Sequence, residues 1–411
     1  MKKNNLALIL VGALLAGSGF NAAAQVSATP VKPTYQIGGG EAKTEGPRGA
    51  EVADGVVLYP YGNFTFGRDD NLFLSNANRT ASNFFLANPG FRVLTRSEIG
   101  QFAIDYDAKI AQYVSSRADD YRDQRLAGTA EFVASSSIGL RLGALYAEGH
   151  DARGSNDRSI SATPDQYDNT GANALFAYGA NGAAGRVELE AGTFKRHYTN
   201  NRATTFVSDR SNNNYAARFF ARVAPKTSLL FEARQDKFDY DSPVSLLSST
   251  ERRYLVGATW DATALTSGTV KVGRIRKSFD SPARKNYSGT GWEANVRWSP
   301  LTYSTFDFFT SKSFAEATGL GDFILTKRYG AAWNHAWSSR VSTGATVSRA
   351  DDTYNGFNRN DKSDALGFKV NYKLTHWLTL GGEVVHTKRD SNISVFEYKK
   401  NLYLLTVGAT L

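Results

Sequence analysis

The stretch YAARFFARV, residues 215–223, decides the fold. Tyr215, Ala217, Phe219, Ala221 and Val223 take every second position, with Ala216, Arg218, Phe220 and Arg222 between them. A period of two puts the two sets on opposite faces of a β-strand. One face is apolar. The other carries full charges in mid-strand, which a dry core could not hold unpaired. The pattern returns along the chain. Tyr254, Val256, Ala258 and Trp260 alternate with Arg253, Leu255, Gly257 and Thr259. Trp292, Ala294, Val296 and Trp298 alternate with Glu293, Asn295 and Arg297. Leu366, Phe368, Val370 and Tyr372 alternate with Lys369, Asn371 and Lys373, and the chain ends with Tyr403, Leu405, Val407, Ala409 and Leu411 on one side.

Polar segments rich in Gly, Asn and Asp separate these stretches, and they alternate between short and long. The short ones lie near Ser97, Ser136, Gly182, Pro225, Ala264, Pro300, Ser338 and Thr375. The long ones lie near 67–83, 117–123, 150–169, 200–212, 241–250, 280–289, 315–324, 351–363 and 390–394. In the second half the short turns recur roughly every 37 residues, one hairpin plus one long loop. Counting both sides of each turn gives about 18 strands, or 16 if one hairpin is miscounted.

A soluble sandwich also alternates, so the choice rests on three further features. Aromatic residues stand at the ends of the apolar faces: Tyr254, Trp260, Trp292, Trp298, Tyr329, Trp333 and Tyr372. Such rings favour the headgroup zones of a bilayer and would form two girdles. The opposite face is charged, as a water-filled lumen allows. Short turns alternating with long loops match periplasmic turns and extracellular loops. Only a closed sheet satisfies every backbone group in lipid. The expected fold is all-β: a transmembrane antiparallel up-and-down β-barrel over residues 55–411.

Composition agrees. The 411 residues are 41% hydrophobic and 21% charged, without the long apolar runs of a helical membrane protein. An aromatic content of 12% argues against disorder. There is no Cys, which removes disulfides and Cys-based metal or redox sites. The net charge of +9 comes from dispersed residues, and no basic run points to nucleic acid.

Residues 1–24 read as a secretory signal peptide. Lys2 and Lys3 precede the apolar run Leu6 to Gly17, and Ala22-Ala23-Ala24 offers a small-residue cleavage site before Gln25. A membrane anchor is the other reading, but the run is short for a span. Residues 25–54, with Pro30, Pro33, Gly38-Gly39-Gly40 and Pro47, read as a flexible periplasmic segment that could enter or plug the lumen. The expected location is the outer membrane of a Gram-negative cell, surrounded by lipid and lipopolysaccharide. Alternation running to Leu411 has the form of an assembly signal for the barrel-insertion machinery.

Parity assigns an inner face. Its basic members are Arg125, Arg141, Arg186, Arg218, Arg222, Arg234, Arg253, Lys271, Arg297, Arg328, Lys369 and Lys373. Its acidic members are Glu131, Glu188, Glu190, Glu232, Glu293, Asp307 and Glu383. The cationic excess would attract anionic solutes modestly. For any one residue, pairing across strands to keep the wall wet and rigid is an equal reading. Phe194 and Phe220 fall on the same parity, where they could stack on sugars, pack against a plug or mark a bulge.

No catalytic or metal constellation emerges, and no cofactor is expected. His150 and His197 lie near long loops, His386 near a strand's outer end, His335 beside Trp337 and His376 in a short turn. None shows the Ser/His spacing of a hydrolase. The acidic pairs Asp119-Asp120 and Asp351-Asp352, taken as loop residues, lack a calcium-loop spacing.

The unit Trp298-Ser299-Pro300-Leu301-Thr302, with looser copies at Val223-Ala224-Pro225 and Tyr372-Lys373-Leu374-Thr375, resembles the putative β-barrel porin type 2 family. So does the opening Tyr59-Pro60-Tyr61, followed by Phe64 and Arg68-Asp69-Asp70-Asn71. Members of that family often belong to exopolysaccharide or capsule export systems. The resemblance implies a passive exit for polymer beside a periplasmic polysaccharide-export protein. It assigns no individual functional residue. The alternatives are a general or sugar-selective diffusion porin, an enzyme on the barrel rim, and a plugged structural barrel.

Overall fold

The computed structural model describes residues 49–158, 161–180, 182–261, 265–317 and 319–411. The expected export signal and residues 25–48 of the segment after it lie outside the described residues. The strands are β1 (Ala50–Ala53), β2 (Val56–Asp69), β3 (Ser82–Ser97), β4 (Gly100–Tyr113), β5 (Tyr121–Ser135), β6 (Ile138–Asp151), β7 (Asp165–Tyr178), β8 (Gly185–Tyr198) and β9 (Arg210–Ala224). They continue with β10 (Thr227–Tyr240), β11 (Ser249–Trp260), β12 (Thr266–Phe279), β13 (Tyr287–Leu301), β14 (Ser304–Glu316), β15 (Phe323–Ala336), β16 (Val341–Asn355), β17 (Asn360–Lys373), β18 (Leu378–Ser391) and β19 (Tyr398–Thr410). From β2 to β19 each strand pairs antiparallel with its sequence neighbour. Then β19 returns to β2, from Thr410 opposite Tyr61 to Leu402 opposite Asp69. The result is a closed barrel of 18 strands.

The seam has an extra piece. Where β19 runs out, β1 takes over the free edge of β2, with Ala50 opposite Leu58. The Gly49 N–H donates to the Leu411 carbonyl at 3.3 Å. Residues 50–53, expected in the flexible segment, therefore join the sheet.

Alternation decides which side chains face out. On β11 and β12, Val256 and Val272 are 47% and 49% exposed, while Arg253 and Lys271 beside them are 3% and 2% exposed. In water that would be inverted. In a bilayer it follows from hydrocarbon outside and a polar lumen inside. The outward face of β17 is apolar from Tyr372 to Leu366 and turns polar at Asp364 and Lys362. On β16 the change falls between Val347 and Arg349. These uncharged spans, Leu366 to Tyr372 and Val341 to Val347, form the lipid-facing part of longer strands. The strands project beyond the membrane at the long-loop end.

Two expectations need correction, and one hairpin departs from simple alternation. The long loop placed at 351–363 shrinks to 356–359, because β16 and β17 extend to Asn355 and from Asn360. Asp351 and Asp352 are therefore strand residues. Pro300 lies inside β13 and the turn follows Leu301. The register with β14 shifts between Trp298 and Leu301, as a residue without an amide hydrogen requires in a ladder. Finally, the tip of the β14–β15 hairpin leaves the wall. Pairing of β13 with β14 ends at Trp292 opposite Lys312. Above it Phe314 and Phe323, outward by parity, pack on the inward-facing Ile275 and Phe279. Glu316 likewise bonds the inward-facing Lys277. The hairpin tip has folded into the mouth.

Candidate functional site: lumen wall and covered mouth

The inner faces of β8 to β13 and the tip of β14 carry a continuous ladder of ion pairs. Arg186 donates to Glu188 at 2.9 Å. Arg218 reaches Glu190 and Glu232, both at 2.9 Å. Glu232 also accepts from Lys271 at 3.2 Å, and Lys271 reaches Glu293 at 2.7 Å. Arg253 bridges Glu293 and Glu251 at 3.6 and 3.2 Å. Lys277 then joins Glu251 and Glu316 at 3.1 and 2.5 Å. Glu316 accepts from the Tyr240 hydroxyl at 2.7 Å. Some steps run along one strand, as from Arg186 to Glu188 and from Arg253 to Glu251, and others cross between strands; all but Glu316 keep the inward parity.

The other inner-face candidates are spread around the ring. Arg125 pairs with Asp107 at 3.7 Å, Arg141 with Glu131 at 2.5 Å, Arg234 with Asp236 at 2.9 Å and Arg297 with Asp307 at 2.6 Å. Lys369 stands opposite Glu383 in register. Arg328 is half-buried on β15, and Arg222 and Lys373 are exposed at the short-turn end. The acids Asp107, Asp236, Glu251 and Glu316 belong to this wall too, and the sequence reading had not singled them out. Lys277, also not singled out, pairs with Glu251 and Glu316. Phe220 is 4% exposed opposite Arg186 and Leu230, which leaves its ring no free face for a sugar. Phe194 is half-buried opposite Asn212 and Gly171.

The aromatic candidates form two rows. Trp298, Phe306 and Trp333 stack in sequence across three strands near the short-turn end, where Trp260 and Tyr372 also stand. Tyr254 faces Arg274, Tyr329 faces Arg349 and Trp292 faces Lys312, all toward the other end. The histidines are dispersed. His150 bonds Asp123, His197 meets Asp209, and His386 bonds Asn401. His335 sits among Tyr303, Trp333 and Trp337, and His376 lies in the turn before β18. Among the described residues no group of three His, Asp or Glu could hold a metal ion.

A loop is anchored across the long-loop mouth. The loop 152–164, between β6 and β7, reaches strands on the opposite side of the ring. At its start Arg153 donates to Asp119 at 2.8 Å and lies 4.4 Å over the Phe73 ring. Gly154 has φ +78°, and a Cβ there would stand 2.2 Å from the Phe73 carbonyl oxygen. Asp157 then accepts from Arg359, between β16 and β17, at 2.6 Å. Arg359 is 1% exposed. It is held by Asp361 at 2.6 Å, with the Phe396 ring 3.5 Å and the Tyr354 ring 4.4 Å from its guanidinium carbon. Gly319, from the inturned hairpin, packs on the backbone of Asp157 and Arg158. Arg158 ties back to Asp165 at 2.7 Å and to Ser208 at 3.2 Å. This clasp was not legible in the sequence, since its partners are about 200 residues apart.

A second clasp fixes the loop after β8. Asp209 accepts the Tyr198 N–H at 2.8 Å and two bonds from Arg202, at 3.0 and 2.7 Å, at the start of the short helix α1 (Arg202–Thr205). Burial pushes the Asp209 carboxyl up, but the Arg202 and Tyr198 bonds outweigh it and hold the group below its ordinary value. A carboxylate with a depressed native value stabilises above the unfolded value, and that contribution is lost as pH falls through the native one. Amide exchange in 199–209 should therefore accelerate on acidification below the usual carboxylate range, and Asp209→Asn should remove that pH dependence.

A closed barrel with a hydrated, charge-lined interior, an apolar outer belt and a loop anchored across its mouth defines a porin-like β-barrel of the outer membrane. A family model described as Putative beta-barrel porin 2 matches residues 47–411, and the chain belongs to that family. None of the curated protein sequences matches it significantly. Among solved structures, the FrpB iron transporter of Neisseria meningitidis is 12% identical with a TM-score of 0.47, over 81% of this chain and 62% of the transporter. The chain thus spans less than two thirds of that protein. OpdL of Pseudomonas aeruginosa is 11% identical with a TM-score of 0.48, over 87% of this chain and 100% of OpdL. A bacterial polysaccharide outer membrane secretin is 9% identical with a TM-score of 0.42, over 86% and 98%.

Proposed function

We propose that this barrel is a gated passive conduit by which a polysaccharide leaves the cell, with the driving force supplied from the periplasmic side. The observation that carries the reading is the clasped loop over a polar, self-neutralised wall. A path serving only export must be shut when no cargo occupies it. A wall whose charges satisfy one another offers hydrogen bonds to a sugar chain without trapping it, and conduction needs such weak, multiple binding. The association of this family with exopolysaccharide and capsule systems supports the choice of cargo.

The test is a deletion strain with and without the gene restored. Polymer should vanish from the surface and accumulate in the periplasm, and return on complementation. Normal secretion by the deletion strain would remove the export reading. A diffusion porin is the second reading, favoured by the exposed Arg222 and Lys373 at the short-turn end. It requires the unmodified protein to conduct freely in planar bilayers, with a weak anion preference.

A further inference from the structure

In the eighteen barrel strands, every outward-facing Lys, Arg, Asp or Glu lies toward the long-loop end, and none toward the short-turn end. Some of these charges are in ion pairs. Lys237 pairs with Asp239, Arg349 with Asp364 and Lys388 with Asp390, at 2.7 to 3.0 Å. One group differs. On β11 and β12, Arg252 stands directly opposite Arg276, and Arg274 is two residues along the same face. All three are exposed. Arg252 donates to Gln235 at 2.9 Å and Arg274 to Ser288 at 3.0 Å. Among the described residues none of the three has a carboxylate partner.

Like charges facing each other across an antiparallel pair destabilise it. An anion shared between the guanidinium groups removes the repulsion. The position says which anion. Arg274 faces Tyr254, and the outward residues just below are Val256 and Val272. The cluster therefore sits at the level of lipid headgroups, above hydrocarbon, at the end that carries the long loops. Guanidinium forks match phosphate oxygens in a bidentate way, and juxtamembrane cations attract anionic headgroups at about 1 kcal/mol each.

We propose that Arg252, Arg274 and Arg276 form a binding site for a phosphate of an anionic glycolipid in the outer leaflet. The site lies on the outside of the wall and is independent of the transport reading.

The full-length protein in detergent would be mixed with bisphosphorylated lipid A, the same lipid after dephosphorylation, or inorganic phosphate. Binding is read by native mass spectrometry. The bisphosphorylated lipid should bind, with at least tenfold loss in a variant carrying R252Q, R274Q and R276Q. Dephosphorylated lipid should bind at least tenfold more weakly, and millimolar inorganic phosphate should not displace the lipid. Heat-modifiable migration verifies that the variant is folded. If it is not, the single R274Q should show a partial loss and R274K a smaller one. Equal binding by parent and folded variant, equal binding of both lipid forms, or displacement by inorganic phosphate would each overturn the proposal.

Discussion

Arg359→Ala turns a barrel that is shut in planar bilayers into one that conducts. Arg359 is sandwiched between the Phe396 and Tyr354 rings, and it joins Asp157 on the crossing loop to Asp361 on the wall. Removing one partner of a buried ion pair costs about 3–5 kcal/mol, because the other charge stays uncompensated. Here the stranded groups are Asp157 and Asp361, and the crossing loop regains solvation by lifting away. Every 1.4 kcal/mol is a factor of ten in an equilibrium, so even half of this energy raises the open population more than tenfold. Mean conductance should rise at least tenfold. Asp157→Asn should act in the same direction but less, since an amide still accepts from Arg359. Unchanged conductance in both variants would mean that this loop does not close the path.

The second large effect is inside the wall. Glu232 accepts from Arg218 and Lys271 at once, and all three side chains are less than 10% exposed. Glu232→Gln leaves two adjacent cations without their shared anion, at an expected cost of about 3–5 kcal/mol. The temperature at which the folded gel band converts to the unfolded one should drop by several degrees, and an opened channel should shift toward anions. A second substitution, Lys271→Met, should restore much of the lost stability, because it removes one stranded charge. Losses that simply add in the double variant would show that the ladder is not coupled.

The outward and inward faces were legible because a strand's period is two and each face meets one solvent. Arg218, Phe219, Glu293 and Phe368 are each placed by their immediate neighbours. Strand number followed from the spacing of turn residues. Two things were not legible. Loops 356–359 and 351–363 could not be told apart, because Asp351 and Asp352 are as compatible with a strand above the membrane as with a loop. The mouth was hidden for a different reason. The Asp157–Arg359 clasp joins distant residues with no periodic relation, and the inward fold of β14 inverts the parity of Phe314 and Glu316. Alternation also says nothing about pairing, so it gathered many cations of the wall but missed Lys277 together with Glu251 and Glu316, which neutralise it.

The central claim is that alternate side chains meet lipid and water. The chain has no Cys, so single cysteines can be read one at a time. In the folded, membrane-embedded protein, cysteines placed from Leu366 to Tyr372 on β17 would be treated with a charged, membrane-impermeant maleimide. Positions 369 and 371, reached from the short-turn end, should label, while 366, 368, 370 and 372 should stay protected until detergent and heat expose them. Uniform labelling, or labelling at the second set instead, would contradict the account.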